Sequence, residues 1–301
     1  MNKNRLGGGP DRAQIRYLSG AITAEIIAAL GFSPRGAARH LLGPLFRYPS
    51  RRISTIMWEY TRDAAETDII SATGRLLAQF VDGVEARGRE NVPREGPVLI
   101  ASNHPGAYDA FAIVSQLPRA DIKLVGSDVP FLKALPQVAS RLIDTPPDAI
   151  KRMVAVRACI RQLQANGLLI IYPTGFVDPD PEVQRGASDV LKSWSPSLEI
   201  MLRRAPATRV VITVVSGVLS GQALRNPITR LAKADWEKRK LAEFLQVIEQ
   251  LTFKRRFHLS PRVTFGPPIS MADLDRKNLM ADLIARAGAV LANHLAAFGI
   301  Q

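Results

Sequence analysis

The chain has 301 residues, 47% of them hydrophobic, with a net charge of +13 and a single cysteine, Cys159. That length supports one large core, or a core with a helical appendage, while one cysteine excludes an internal disulfide and implies a reducing, cytoplasmic compartment. The basic excess does not help the fold and calls for a partner of opposite sign: anionic lipid headgroups, nucleic acid, coenzyme A phosphates or an acidic carrier protein.

The charge is concentrated at one end, with ten basic residues against three acidic ones between Met1 and Arg62. Lys3 and Arg5 lead into Gly7-Gly8-Gly9-Pro10 rather than an apolar stretch, so no secretion signal is expected. Between Arg12 and Leu30 the residues Ile15, Leu18, Ile22, Ile26 and Ala29 share one helical face, and Gly31 and Pro34 end that helix. Leu41 to Phe46 is apolar and flanked by Arg35, Arg39, Arg47, Arg51 and Arg52; Pro44 is expected to break it into short pieces. A third helix is expected from Asp63 to Val84, with Ile69, Thr73, Leu76, Phe80 and Val84 on its stripe. These helices read either as a small bundle with solvated arginines or as a region whose Leu41 to Phe46 patch lies on an anionic membrane. The uncharged runs Val210 to Leu224 and Ala287 to Gln301 have 15 residues each. A bilayer span takes ~20 apolar residues, so no transmembrane helix is expected.

From Gly88 the pattern changes to short β-type runs: Val98 to Ser102, Ile122 to Gly126, Arg141 to Asp144, Leu168 to Tyr172, Arg209 to Val215 and Arg262 to Gly266. Helical patterns lie between and after them, notably Ala107 to Gln116, Asp148 to Asn166, Asp235 to Gln250 and Met271 to Ala297. This alternation predicts an α/β fold, a sheet flanked by helices, with functional residues at strand ends. The division expected is residues 1–87 as a basic helical region and 88–301 as the catalytic domain.

The run Val98-Leu99-Ile100-Ala101-Ser102 leads directly into Asn103-His104-Pro105-Gly106-Ala107-Tyr108-Asp109. His104 therefore ends a strand and Asp109 begins a helix. On an unbroken helix two residues five apart point ~140° away from each other. Pro105 and Gly106 remove that obstacle, because the residue before proline is biased to an extended conformation and can turn back. A histidine whose Nδ1 proton is held by a carboxylate has a fixed tautomer and a more basic Nε2, suited to take a proton from an alcohol. Such a pair is two-thirds of a serine-type triad, and a substrate alcohol would fill the missing place.

Asn-His-x-x-x-x-Asp after a buried strand resembles the first motif of the glycerol-3-phosphate and lysophosphatidic acid acyltransferase family. Arg141 to Asp144 resembles the second motif, Leu168 to Gly175 (Leu-Leu-Ile-Ile-Tyr-Pro-Thr-Gly) the third, and Val210 to Val215 the fourth, in the family's order. The resemblance spans Gly88 to Gly266. It implies a mixed central sheet and an O-acyltransferase with His104 as general base and Asp109 as its orienter. The implied acceptor is glycerol 3-phosphate or lysophosphatidate. The implied co-substrate is a thioester of coenzyme A or acyl carrier protein, with no cofactor or metal, working peripherally at the inner face of a membrane. Asn103, Thr174 and Gly175 would line the substrate. An oxyanion would be held by backbone N–H groups at the start of the Ala107 helix or near Gly175.

Two motifs depart from the pattern. The third reads Tyr172-Pro173-Thr174-Gly175-Phe176-Val177 where the family has Phe-Pro-Glu-Gly-Thr-Arg, and the second closes on Thr145-Pro146-Pro147 instead of an arginine. Arg185, Lys151, Arg152 and Lys133 are the substitutes available for an acceptor phosphate. Two other readings stay open: a non-phosphorylated acceptor, or a lipid-surface protein without turnover. His40, His258 and His294 stand apart from one another and read as surface or structural residues. Lys254-Arg255-Arg256 between Phe253 and Phe257 reads as an exposed end rather than a nucleic-acid site.

Overall fold

The computed structural model describes residues 12–33, 36–126, 129–145, 148–253 and 255–300. Lys3, Arg5, the glycines at 7 to 9, Pro34, Arg35, Pro146, Pro147, Lys254 and the side chains of Ala29 and Lys151 lie outside the described residues.

Helix α1 (Arg12–Ala29) forms where the spacing predicts it, burying Ile15, Leu18, Ile22 and Ile26. The next stretch departs from expectation. Helix α2 (Ala37–Glu66) runs for 30 residues straight through Pro44 and Pro49. Each proline removes a hydrogen bond and crowds the carbonyl one turn back, a cost of about 3 kcal/mol in an isolated helix. Packing against α1 offsets it: fully buried Ser50 receives the Thr23 hydroxyl at 2.9 Å, and Ser54 bonds back to the Ser50 carbonyl at 2.6 Å. Small side chains at this crossing let the two helices approach closely. The expected single helix from Asp63 to Val84 is instead divided. α2 stops at Glu66 and Asp68 caps α3 (Ile69–Leu77), its carboxylate accepting the amides of Ile70 and Ser71 at 2.8 and 2.9 Å.

Seven strands then build one sheet: β1 (Glu85–Arg87), β2 (Val98–Ser102), β3 (Ile122–Gly126), β4 (Leu142–Asp144), β5 (Leu168–Ile171), β6 (Arg209–Ser216) and β7 (Arg262–Phe265). Their order is β1-β7-β6-β2-β5-β3-β4. All pairs are parallel except β6 with β7, so the sheet is mixed. β2 and β5 are buried along their whole length, which is why they read as continuous apolar runs. β1 gave no such signal, being three residues with two exposed. It falls within the stretch expected to be the helical region, yet it is an edge strand of the sheet. The chain turns off β1 at Gly88, where φ is +71° and a Cβ would lie 2.1 Å from the Phe265 carbonyl oxygen, so only glycine fits.

Helices cover both faces. One core holds Val98 and Ile100 of β2 with α3 and α4 (Asp109–Val114). The other holds Leu99 and Ala101 with α7 (Ala149–Gln164), α8 (Ser197–Arg204) and α11 (Leu279–Phe298). Short helices α5 (Pro130–Lys133) and α6 (Pro136–Ala139) join β3 to β4, and α9 (Gly221–Leu224) and α10 (Asp235–Thr252) follow β6. The last helix starts eight residues later than expected, because Asp273 and Asp275 draw the amides of Ser270 and Lys277 into local turns. No helix among the described residues is long and apolar enough to cross a membrane.

Candidate active site

β2 and β5 are parallel neighbours in the sheet, and the loops that leave them meet at His104. Its Nδ1 lies 2.7 Å from Asp109 Oδ2, which also accepts the Gly106 amide at 3.1 Å. The Tyr172 hydroxyl, from the end of β5, donates to the other Asp109 oxygen at 2.7 Å. Asp109 is 1% exposed, whereas His104 keeps 31% of its side chain open. The carboxylate, an acceptor only, holds Nδ1 as the protonated nitrogen and leaves Nε2 to the cleft. The Tyr172 ring also stacks on the imidazole, with centroids 4.4 Å apart.

The Pro-rich run after β5 fixes this arrangement from below. Asp178 accepts the His104 amide at 2.9 Å and donates its own amide to the His104 carbonyl at 2.7 Å. Asp180, fully buried, accepts four backbone amides, those of Glu182, Gly217, Val218 and Leu219, at 2.9 to 3.0 Å. Three loops, from β2, β5 and β6, are thus clipped together by two aspartates. The run Gly217 to Gly221, which falls short of a nucleophile elbow, serves as the receiving end of this clip.

Helix α10 closes the site from above, and no motif pointed to it. Gln246 accepts the Ser220 amide and donates to the Val218 carbonyl, at 2.6 and 2.9 Å. Gln250 accepts the Tyr108 hydroxyl and donates to the Phe80 carbonyl, both at 2.6 Å. Arg239 Nε donates to the Val177 carbonyl at 2.8 Å. Glu243 sits over the turn after His104, with its Cγ 4.0 Å from the place a Gly106 Cβ would take. The signal available in the sequence was a pair of glutamines one turn apart on the helix face that also carries Leu241 and Ala242 inward.

The electrostatics follow from this crowding. Burial works against the His104 imidazolium, but the Asp109 carboxylate in contact with it, with Glu243 and Asp178 nearby, raises it to about 9. Burial pushes Glu243 up to about 7 and Asp180 up to about 6, and it raises Asp178 as well. Burial and the adjacent Asp109 charge hold Tyr172 well above its ordinary value, so it remains a donor. His104 is therefore an unusually strong base, held in one tautomer.

The remaining residues expected at the site are distributed differently. Both ends of the Asn103 amide are spent on the Val215 backbone at 2.8 Å, which extends the ladder between β2 and β6 by one rung. Thr174 and Gly175 lie on the same loop as Asp178, the glycine with φ +72° and open space around it. Of the amides expected to hold an oxyanion, Gly106 N–H is committed to Asp109 and Gly175 N–H to the Tyr172 carbonyl at 3.1 Å. Arg185 is exposed on the turn after the clip. Arg152 is exposed on α7, on the opposite face of the sheet from α4. Lys133 pairs with Asp144 at 2.8 Å. His294 is fully buried between Thr264 and Ser216, at 2.8 and 2.9 Å, and burial lowers it to about 4. His258 pairs with Asp82 at 3.0 Å on the surface. Arg256 is drawn to Glu249 at 2.7 Å. No cluster of three or more metal-ligating side chains occurs among the described residues.

No protein-family model matches the chain. Among curated proteins it is 26% identical over 227 residues to a lyso-glycine lipid O-acyltransferase of Bacteroides thetaiotaomicron, covering 73% of this chain and 77% of that one. Among solved structures it matches the 1-acyl-sn-glycerophosphate (LPA) acyltransferase PlsC of Thermotoga maritima with a TM-score of 0.46 and 13% identity, over 96% of this chain and 98% of that one. The likeness read from the four motif-like segments and the similarity to the curated acyltransferase agree.

Proposed function

We propose that the chain is an O-acyltransferase that moves a fatty acyl group from a thioester to a hydroxyl of a lysolipid-type acceptor. The observation that carries this reading is the His104, Asp109 and Tyr172 array at the end of β2, with no side-chain nucleophile joined to it among the described residues. The similarity to a protein named for lysolipid O-acylation supports it.

The chemistry follows from the geometry. His104 Nε2 takes the proton of the acceptor hydroxyl as its oxygen attacks the thioester carbonyl carbon. The C–O bond forms, the tetrahedral intermediate collapses with loss of the C–S bond, and the imidazolium returns its proton to the departing thiolate. Asp109 stabilises the imidazolium without taking its proton, and Tyr172 with the Gly106 amide keeps the carboxylate in place. The donor in this reading is a thioester of coenzyme A or of acyl carrier protein, and glycerol 3-phosphate and lysophosphatidate are the first acceptors to try. A non-phosphorylated acceptor is the second reading, favoured by the exposed positions of Arg152 and Arg185.

In this reading the N-terminal hairpin offers a surface for an anionic membrane. Leu41, Leu45 and Tyr48 follow one another on a single face of α2 and are 79, 69 and 59% exposed, with Arg39, Arg47 and Arg51 exposed beside them. The test is thiol release from acyl thioesters with lysolipids, glycerol 3-phosphate and neutral alcohols as acceptors. Turnover that persists unchanged in His104→Ala would sink the mechanism, and vesicle binding without turnover on any acceptor would favour a lipid-surface protein.

A further inference from the structure

A second set of apolar side chains stands unused at the mouth of the site. Phe176, on the loop between Thr174 and Asp178, lies against Trp236 of α10 with ring centroids 5.5 Å apart, and both rings are exposed. Ile228 and Leu231 belong to the 3-10 helix Pro227–Leu231, where side chains three apart eclipse. Both therefore project from one side, and both are exposed. That short helix and α9 pack on α10, the helix that carries Trp236, and Leu231 precedes Trp236 by only five residues of chain. Basic residues surround them. Residues 225–240 carry six Lys or Arg against two Asp or Glu, and Arg225, Arg230 and Lys233 are exposed without an ion pair among the described residues. Arg239 and Lys240 lie one turn beyond Trp236, on the same helix face.

We propose that this patch is a membrane contact separate from the N-terminal hairpin, which seats the mouth of the active site directly on an anionic lipid bilayer. Aliphatic tips, an amphipathic Trp and a rim of unpaired basic groups are the combination that binds a lipid interface, where apolar burial and headgroup attraction act together. Nucleic acid would use the charge but would leave Ile228 and Leu231 without a role. The proposal rests on the reading that the acceptor is a lipid: a mouth seated on the bilayer takes a lysolipid from the membrane plane without carrying its chain through water.

The experiment measures emission of the intact protein and of Trp236→Phe with vesicles of phosphatidylglycerol or phosphatidylcholine, with and without brominated acyl chains. The expected result is a blue shift and bromine quenching on phosphatidylglycerol, both lost in Trp236→Phe. Ile228→Glu with Leu231→Glu is expected to weaken vesicle affinity at least ~10-fold. Co-sedimentation with vesicles but no change in Trp236 emission would overturn the proposal, as would affinity that survives the double glutamate change, or binding to single-stranded nucleic acid without binding to either vesicle. None of these readouts uses turnover, so missing acyl transfer would count against the enzyme reading alone.

Discussion

The loops around His104 and the hairpin of α1 and α2 use their side chains in opposite ways. At the loops, polar atoms are committed several times over: Asp109 accepts three hydrogen bonds and Asp180 four, each from more than one stretch of chain. On the outer face of α2, Leu41, Leu45 and Tyr48 stand in solvent. The first pattern preorganises a reaction centre, since a group with its partners in place needs no rearrangement when charge moves. The second leaves surface free for something outside the molecule.

The largest effect is expected where the committed network meets the substrate. His104→Ala should lower kcat by ~10² to 10⁴ in a protein that still folds, with a lowered melting temperature because buried Asp109 loses its partner, read as thiol release beside a thermal melt. Asp180→Ala tests whether the clip is structural. It strips four backbone amides of their acceptor at roughly 1–3 kcal/mol each before water repairs some of them, so urea unfolding should show a loss of about 3 kcal/mol or more. A smaller change would mean the three loops hold together without it. Tyr172→Phe removes one bond from Asp109 and keeps the stacked ring, so a fall in kcat of about 10-fold, near 1.4 kcal/mol, is expected. On the other side of the comparison, Leu45→Glu should weaken binding to phosphatidylglycerol vesicles several-fold without touching kcat for a soluble acceptor.

The subtlest prediction concerns pH. His104 works as a base only when neutral, and its neighbours raise it to about 9, so kcat/KM should climb with pH until about 9. Glu243→Gln removes a negative charge that favours the imidazolium. The climb should then move to lower pH, with the plateau retained. A profile that stays in place would show that Glu243 acts on packing alone.

How much of this was legible depended on distance along the chain. β2, β5 and β6 could be read because strands buried on both faces are continuous apolar runs. His104 and Asp109 could be paired because they are five residues apart with Pro105 and Gly106 between them. β1 was hidden by its length and its exposed glutamate, and the continuity of α2 by two prolines that only its packing on α1 explains. Tyr172, Asp178, Asp180 and Glu243 reach the site from 63 or more residues beyond Asp109, and no spacing in the sequence brings them there. Arg152 and Arg185 were named from motif order, which says nothing about the face of the sheet a side chain occupies.

The stacking of Tyr172 on His104 also gives the protein a built-in spectroscopic reporter. A ring lying nearly parallel to the imidazole, 22° between planes, shields the imidazole protons with its circulating π electrons. His104 should therefore resonate upfield of the exposed His40 and His258 in a proton spectrum. Opening of the cleft, or arrival of an acyl chain between the two rings, would appear as movement of that one signal.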